Sequence, residues 1–250
     1  MIMNILIIKT GALGDVLRTS FIAQALKDKY EKRNPKIFWL THKNAKPFFI
    51  NNHYVDYILS LENKEKLKKK SFDLVINLEE DKESCKFACS LEYNKIIGFI
   101  YKNNKILSTL EAKEWFDMSA LGKKPQNDIL KIKNKKTHRQ IMAEIIGIKN
   151  WRKYEPFLRL TQNQRKITKD FLRIHNLSRT DLIMGINTGS ADRWLKHLSV
   201  KKTVRLIDKI YKKYNAKILL FGGPNEIERN REISKLTKSP IIITGCGNDN

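Results

Sequence analysis

The chain has 250 residues and carries 49 Lys and Arg against 26 Asp and Glu, a formal net charge of +23. With 41% hydrophobic and 30% charged residues it has the apolar material for a folded core, which excludes wholesale disorder, and 11 Gly and 6 Pro exclude a collagen-like or Pro-rich fibre. Three Cys are too few for a disulfide framework, and the charge points to an anionic partner: nucleic acid, an anionic membrane surface or a phosphorylated substrate.

Ile5 to Ile8 is an apolar run far shorter than the ~20 residues that cross a bilayer, and it lacks the parts of a signal peptide. It reads as a buried parallel strand of a cytoplasmic protein. Val16, Leu17, Phe21, Ile22, Ala25 and Leu26 follow at helical spacing. Ile37 to Leu40 is a second strand and Tyr57 to Leu59 a short third. The Lys-rich stretch from Glu62 to Lys70 reads as a solvated helix. Phe72 to Leu78 is a fourth strand, Ser84 to Leu91 a helix, and Ile96 to Ile100 a fifth strand. Strands separated by helices imply parallel pairing through right-handed crossovers, hence an α/β doubly wound sheet.

The middle is less regular. Lys102 to Asn134 is polar, with one helix near Trp115 to Leu121. Thr137 to Ile148 is a further helix, Trp151 to Leu160 a candidate linker, and Gln162 to His175 helical. A second α/β pattern follows. Leu182 to Asn187 is a strand, Val200 to Tyr214 a helix, Ile218 to Phe221 a strand, Asn225 to Leu236 a helix and Ile241 to Ile243 a strand. These readings place a first domain over 1–160 and a second, smaller one over 161–250.

Three loops sit where open α/β sheets place ligands, at the end of a strand and the start of a helix. The first runs Lys9-Thr10-Gly11-Ala12-Leu13-Gly14-Asp15. Its G-x-x-G spacing is neither a dinucleotide fingerprint nor a Walker loop. Gly11 and Gly14 allow a sharp turn and a close backbone approach. On the local sequence Asp15 reads first as a helix N-cap, and more sharply as a general base. The second loop runs from Asn187 to His197 and offers Thr188, Gly189 and Ser190 with the cations Arg193 and Lys196, an anion-site composition. The third is Phe221-Gly222-Gly223-Pro224-Asn225-Glu226, where Glu226 can accept from ribose hydroxyls or complement the following helix.

Cys85 and Cys89 have no nearby His, the five histidines form no metal motif, and no D-x-D pair occurs, so no metal site is expected. Glu79-Glu80-Asp81 after the fourth strand reads as a helix cap rather than as residues of the crevice.

Together these blocks resemble glycosyltransferase family 9, the bacterial heptosyltransferases of lipopolysaccharide core assembly. The resemblance rests on ILIIKTGALGDVLRTSFIAQALKDKY and KIFWLT, then FDLVINLEED, GINTGSADRWLKHLS and AKILLFGGPNEIER, in the family's order. It implies a GT-B-like architecture of two Rossmann-like domains, the N-terminal one for the acceptor and the C-terminal one for the nucleotide sugar. It also implies an inverting transfer from an ADP-sugar, typically ADP-heptose, without metal or other cofactor. The family's catalytic Asp matches Asp15, which raises the general-base reading above the cap. Its diphosphate-contacting basic residue matches Lys196, with Thr188 and Gly189 beside it and Arg193 as an addition. Glu226 matches a ribose-contacting position.

The resemblance breaks off at TGCGNDN, before the family's D-T-G-x-x-H segment. The reading therefore expects an incomplete second domain and a chain that is weak or inactive as a transferase alone. The implied partners are an ADP-sugar and an anionic glycolipid acceptor, with peripheral contact to the inner face of an anionic membrane and no specific nucleic acid. The competing readings are a non-catalytic remnant of the family and a polyanion- or nucleic-acid-binding protein. Against the last, no element interleaves aromatics with its basic residues.

Overall fold

The computed structural model describes residues 2–190 and 196–244. The chain divides into two compact units, Met1–Thr161 and Gln162–Asn250.

The first unit runs β1 (Met3–Ile8), α1 (Leu13–Thr19), α2 (Phe21–Lys29), β2 (Pro35–Thr41), β3 (Tyr57–Ser60), β4 (Ser71–Asn77), α3 (Lys82–Cys89), β5 (Glu92–Lys102), β6 (Lys105–Ser108), α4 (Lys113–Met118), α5 (Gln126–Lys133) and α6 (His138–Ile145). The strand order is β3-β2-β1-β4-β5-β6, parallel throughout except for the β5–β6 hairpin. This is the doubly wound sheet that the alternation of strands and helices predicts. Its order reverses between β1 and β4, so the ligand crevice of such a sheet belongs beyond the C-terminal ends of those two strands.

Alternation along the strands explains the two cores. Ile5, Ile7, Ile37, Trp39 and Ile76 face one side, packed with Val16 of α1, Phe21, Ile22 and Leu26 of α2, and Ile141 and Ile145 of α6. Leu6, Ile8, Phe38, Leu40 and Val75 face the other, with Phe87 and Ala88 of α3. Strands buried on both faces read as continuous apolar runs, as β1 and β4 do.

Several elements depart from the expectation. The first helical stretch is broken at Ser20 into α1 and α2. Ser20 Oγ accepts the backbone N–H of Phe157 at 2.7 Å. Trp151 packs against the first core and Tyr154 is buried in it. The segment read as a linker is therefore docked onto the first unit as far as Phe157. The Lys-rich stretch forms 3-10 turns over Leu61–Lys69 rather than an α-helix. Its lysines are largely exposed while Leu67 is fully buried in the second core, an apolar anchor that sets the local geometry. β6 and α5 lie inside the stretch read as polar with a single helix. The hairpin turns on Asn103 and Asn104, both with positive φ, which Asn tolerates better than most residues.

The second unit contains α7 (Gln162–Ile174), β7 (Ile183–Asn187), α8 (Val200–Tyr214), β8 (Lys217–Phe221), α9 (Ile227–Leu236) and β9 (Ile241–Ile243). Its three strands are parallel in the order β7-β8-β9. Ile207 of α8 and Ile233 of α9 close one face over Ile218 and Leu220. Ser199 caps α8 by accepting from Lys202 N–H, and Asn215 ends it in the left-handed conformation. Among the described residues, no helix is long and apolar enough to cross a membrane.

Candidate functional site

At the switch point of the first unit, the loop after β1 is tied to the end of β4 by Glu79. The backbone N–H groups of Thr10 and Gly11 both donate to Glu79 Oε1, at 2.5 and 2.6 Å. Lys9 Nζ pairs with the same oxygen at 3.1 Å. A Cβ on Gly11 would stand 3.2 Å from Glu79 Oε2, a tight contact to which the carboxylate would have to yield by a few tenths of an ångström. Glu79 is itself held from below. Its N–H donates to Asn77 Oδ1 at 3.2 Å, and Asn77 Nδ2 donates across to Phe99 O at 2.8 Å. Within the E-E-D run it is Asp81 that caps α3, by accepting from Ser84 N–H. Asp81 bears out the cap reading of the run, while Glu79 has a separate role in tying the loop after β1. A carboxylate two residues past a buried strand, opposite a glycine turn, was the available signal.

Asp15 does not cap α1. The N-cap is Ala12, and Asp15 is the third helical residue, its N–H bonded to Ala12 O at 2.7 Å. Its carboxylate is partly exposed and pairs with Arg18 at 2.9 Å, one turn on. Negative charge in a first helical turn is favoured by the helix dipole. Gly14 lies inside α1 with open space around its Cβ position, so its turn makes no demand for glycine.

His138 had no motif to mark it. α6 brings it to this end of the unit, within reach of the charges of Arg18, Asp15 and Lys9. Burial first, then the cations Arg18 and Lys9, push its pKa down to about 4, with Asp15 opposing. Its ring meets Trp115 edge-on, centroids 5.5 Å apart, and Trp115 Nε1–H donates to Glu80 Oε1 at 2.8 Å. Cys85 is buried, its Sγ donating to Glu79 O, and burial pushes its thiol up to about 12. It is neither a nucleophile nor a ligand at neutral pH. Among the described residues no group of three His, Cys, Asp or Glu side chains stands close enough to hold a metal ion.

In the second unit the loops after β7 and β8 enclose a cleft of about 780 Å³, lined by Asn187, Gly189, Ser190, Gly222, Gly223 and Glu226 among others. Glu226 joins the two loops. Its Oε2 accepts Gly223 N–H at 2.7 Å, and its carboxyl group occupies the space where a Cβ on Gly189 would lie, 2.2 Å from that position. Thr188 is buried, its hydroxyl committed to Asn230 Oδ1. It shapes the turn instead of presenting that hydroxyl to the cleft. Gly189 N–H bonds to Asn187 Oδ1 at 3.1 Å, and Ser190 Oγ lies 3.1 Å from His197 Nδ1 and accepts Lys196 N–H. The structure thus gathers Thr188, Gly189 and Glu226 at the adjoining ends of β7 and β8, with Lys196 bonded through its backbone to the turn after β7. Arg193 lies outside the described residues.

No family model and no curated protein matches the chain. Solved structures do. The glycosyl transferase family 9 protein from Veillonella parvula DSM 2008 is 17% identical, with 97% of this chain and 69% of that one covered and a TM-score of 0.69. The Escherichia coli ADP-heptose lps heptosyltransferase II is 15% identical, covering 94% and 70%, TM-score 0.56. The E. coli heptosyltransferase WaaC with ADP is 18% identical, covering 98% and 75%, TM-score 0.55. The fold is GT-B-like. The chain carries two Rossmann-like units in series, the second with a three-stranded sheet.

Proposed function

We propose that this chain is an inverting, metal-independent glycosyltransferase that moves a heptose or related sugar from an ADP-sugar to a lipopolysaccharide-core or similar anionic acceptor. The observation that carries this reading is the second unit's cleft, in a fold whose solved examples include a heptosyltransferase with ADP. The cleft is built from glycine turns at parallel strand ends, where backbone N–H groups suit a diphosphate, and holds a carboxylate, Glu226, of the kind that accepts from ribose hydroxyls.

Asp15 removes the proton from the acceptor hydroxyl as that oxygen attacks the anomeric carbon from the face opposite the diphosphate. The carbon–oxygen bond to the diphosphate breaks, its electron pair leaves with ADP, and the anomeric centre inverts. Lys196 and Arg193 balance the charge that develops on the departing diphosphate. One base suffices for such a displacement, and the lack of any D-x-D pair in the sequence agrees with a reaction that uses no metal clamp. The net charge of +23 suits an anionic glycolipid and peripheral attachment to the cytoplasmic membrane face, since each Lys or Arg near such a surface contributes about 1 kcal/mol.

Calorimetric titration with ADP tests the donor half. The chain should bind ADP, and Lys196→Ala should weaken binding by about tenfold, the scale of one charge-assisted contact. A chain that binds no ADP contradicts the reading.

A further inference from the structure

Thr137 caps α6 by accepting Gln140 N–H at 3.1 Å, which fixes His138 as the first helical residue and sets its ring against Trp115. In that position His138 Nδ1 is buried and has no hydrogen-bond partner. A buried N–H left without a partner is rarer and costlier than a buried lone pair. Nδ1 is therefore the bare nitrogen, and the ring proton belongs on Nε2. The charges that act on the imidazole are those of Arg18 and Asp15 from α1 and Lys9 from the loop after β1, and Glu80 is bonded to Trp115. Arg139, next on α6, is occupied with Tyr154 O and Glu155.

We propose that His138 is a neutral hydrogen-bond donor in the acceptor half of the site, offering Nε2–H to a sugar oxygen beside the hydroxyl that Asp15 deprotonates. The inference rests on the transferase reading and names a specificity residue for it. Neutrality is the useful property. An imidazolium next to Asp15 would stabilise its carboxylate and weaken it as a base, whereas a neutral N–H orients a hydroxyl without adding charge. The depressed pKa of His138, from burial and from Arg18 and Lys9, keeps the ring in this form.

Imidazole ¹⁵N spectra of the full chain, with His138 assigned through His138→Gln, test the tautomer. The Nε2–H form should persist down to about pH 5, well below the ordinary histidine value of 6.5. The spectra are then followed on adding a deacylated, phosphorylated lipopolysaccharide-core oligosaccharide, and separately ADP. The oligosaccharide should shift the His138 Nε2 signal. His138→Ala should weaken its binding about tenfold while His138→Gln, whose amide N–H replaces Nε2–H, stays within about threefold. ADP affinity should be unchanged in both variants. An Nδ1–H tautomer, titration near pH 6.5, a His138 signal unmoved by the oligosaccharide, or equal oligosaccharide binding by His138→Ala each overturns the inference. Failure of the wild-type chain to bind ADP counts against the transferase reading instead, because neither His138 measurement depends on the nucleotide.

Discussion

Glu79 accepts the backbone N–H of Gly11 at 2.6 Å, and this bond ties the loop after the first strand to the end of the fourth. The same oxygen takes Thr10 N–H and pairs with Lys9, both partners of the ion pair being largely buried. Removing one member of such a group leaves the other charge uncompensated. Glu79→Ala should therefore destabilise the first unit by about 3 kcal/mol in urea unfolding, and Lys9→Met in the Glu79→Ala background should recover part of that loss. A change below about 0.5 kcal/mol, the range of ordinary surface substitutions, would show that the loop is held by something else.

In the second unit the corresponding joint is Gly189 against Glu226. A methyl group on residue 189 would displace the Glu226 carboxyl and break its bond to Gly223 N–H. Gly189→Ala should weaken ADP binding by about tenfold while costing roughly 1–2 kcal/mol in stability, the scale of one hydrogen bond to a charged acceptor. Unchanged ADP affinity would mean that Glu226 does not shape the nucleotide site.

How much of this was legible from residues alone depends on the kind of signal. The apolar runs of β1, β2 and β4 have the length and flanks of strands buried on both faces, so the parallel sheet could be read directly. The break at Ser20 could not, because its cause is a bond to Phe157, 137 residues away. The Lys-rich segment hid a single buried Leu67 among charges that read as a solvated helix face. The cap preference of Asp pointed to Asp15, yet the helix begins earlier, at Leu13, and leaves the carboxylate in its first turn. That Gly189 and Glu226 come together was legible because strand-end loops converge by topology, whereas the burial of the Thr188 hydroxyl against Asn230 was not. Glu79 and His138 were not, since each acquires its environment only when β4 or α6 packs beside the first loop.

Acid should act on the first unit through Asp56. Burial alone would raise its pKa, but Lys27, the N–H of Ile37 and Lys36 outweigh burial and hold it below the ordinary value of 3.8. A depressed carboxylate pKa contributes stability that is present above the unfolded value and is lost as pH falls through the folded one. Asp56→Asn should thus be destabilising at pH 7, by about 1–3 kcal/mol for these charge-assisted bonds, and should cost progressively less as the pH is taken below the ordinary value of 3.8. Equal differences at the two pH values would contradict this origin.

His138 acts in the same direction over a higher range. Its folded pKa of about 4 lies below the ordinary 6.5, so between these values the unfolded chain binds the extra proton. Stability should fall as pH drops from about 6.5 toward 4, and His138→Gln should flatten that part of the curve. Urea midpoints measured across this window for both proteins decide it, and parallel curves would remove His138 as the cause.

The central claim is transfer of a sugar with Asp15 as the base. ADP release and product NMR, with ADP-heptose and the deacylated core oligosaccharide as substrates, address it directly in wild type and Asp15→Ala. The account predicts a product of inverted anomeric configuration, a loss of about 10²–10⁴-fold in Asp15→Ala, and ADP affinity left within about twofold. Turnover retained by Asp15→Ala, or a product of retained configuration, would contradict it.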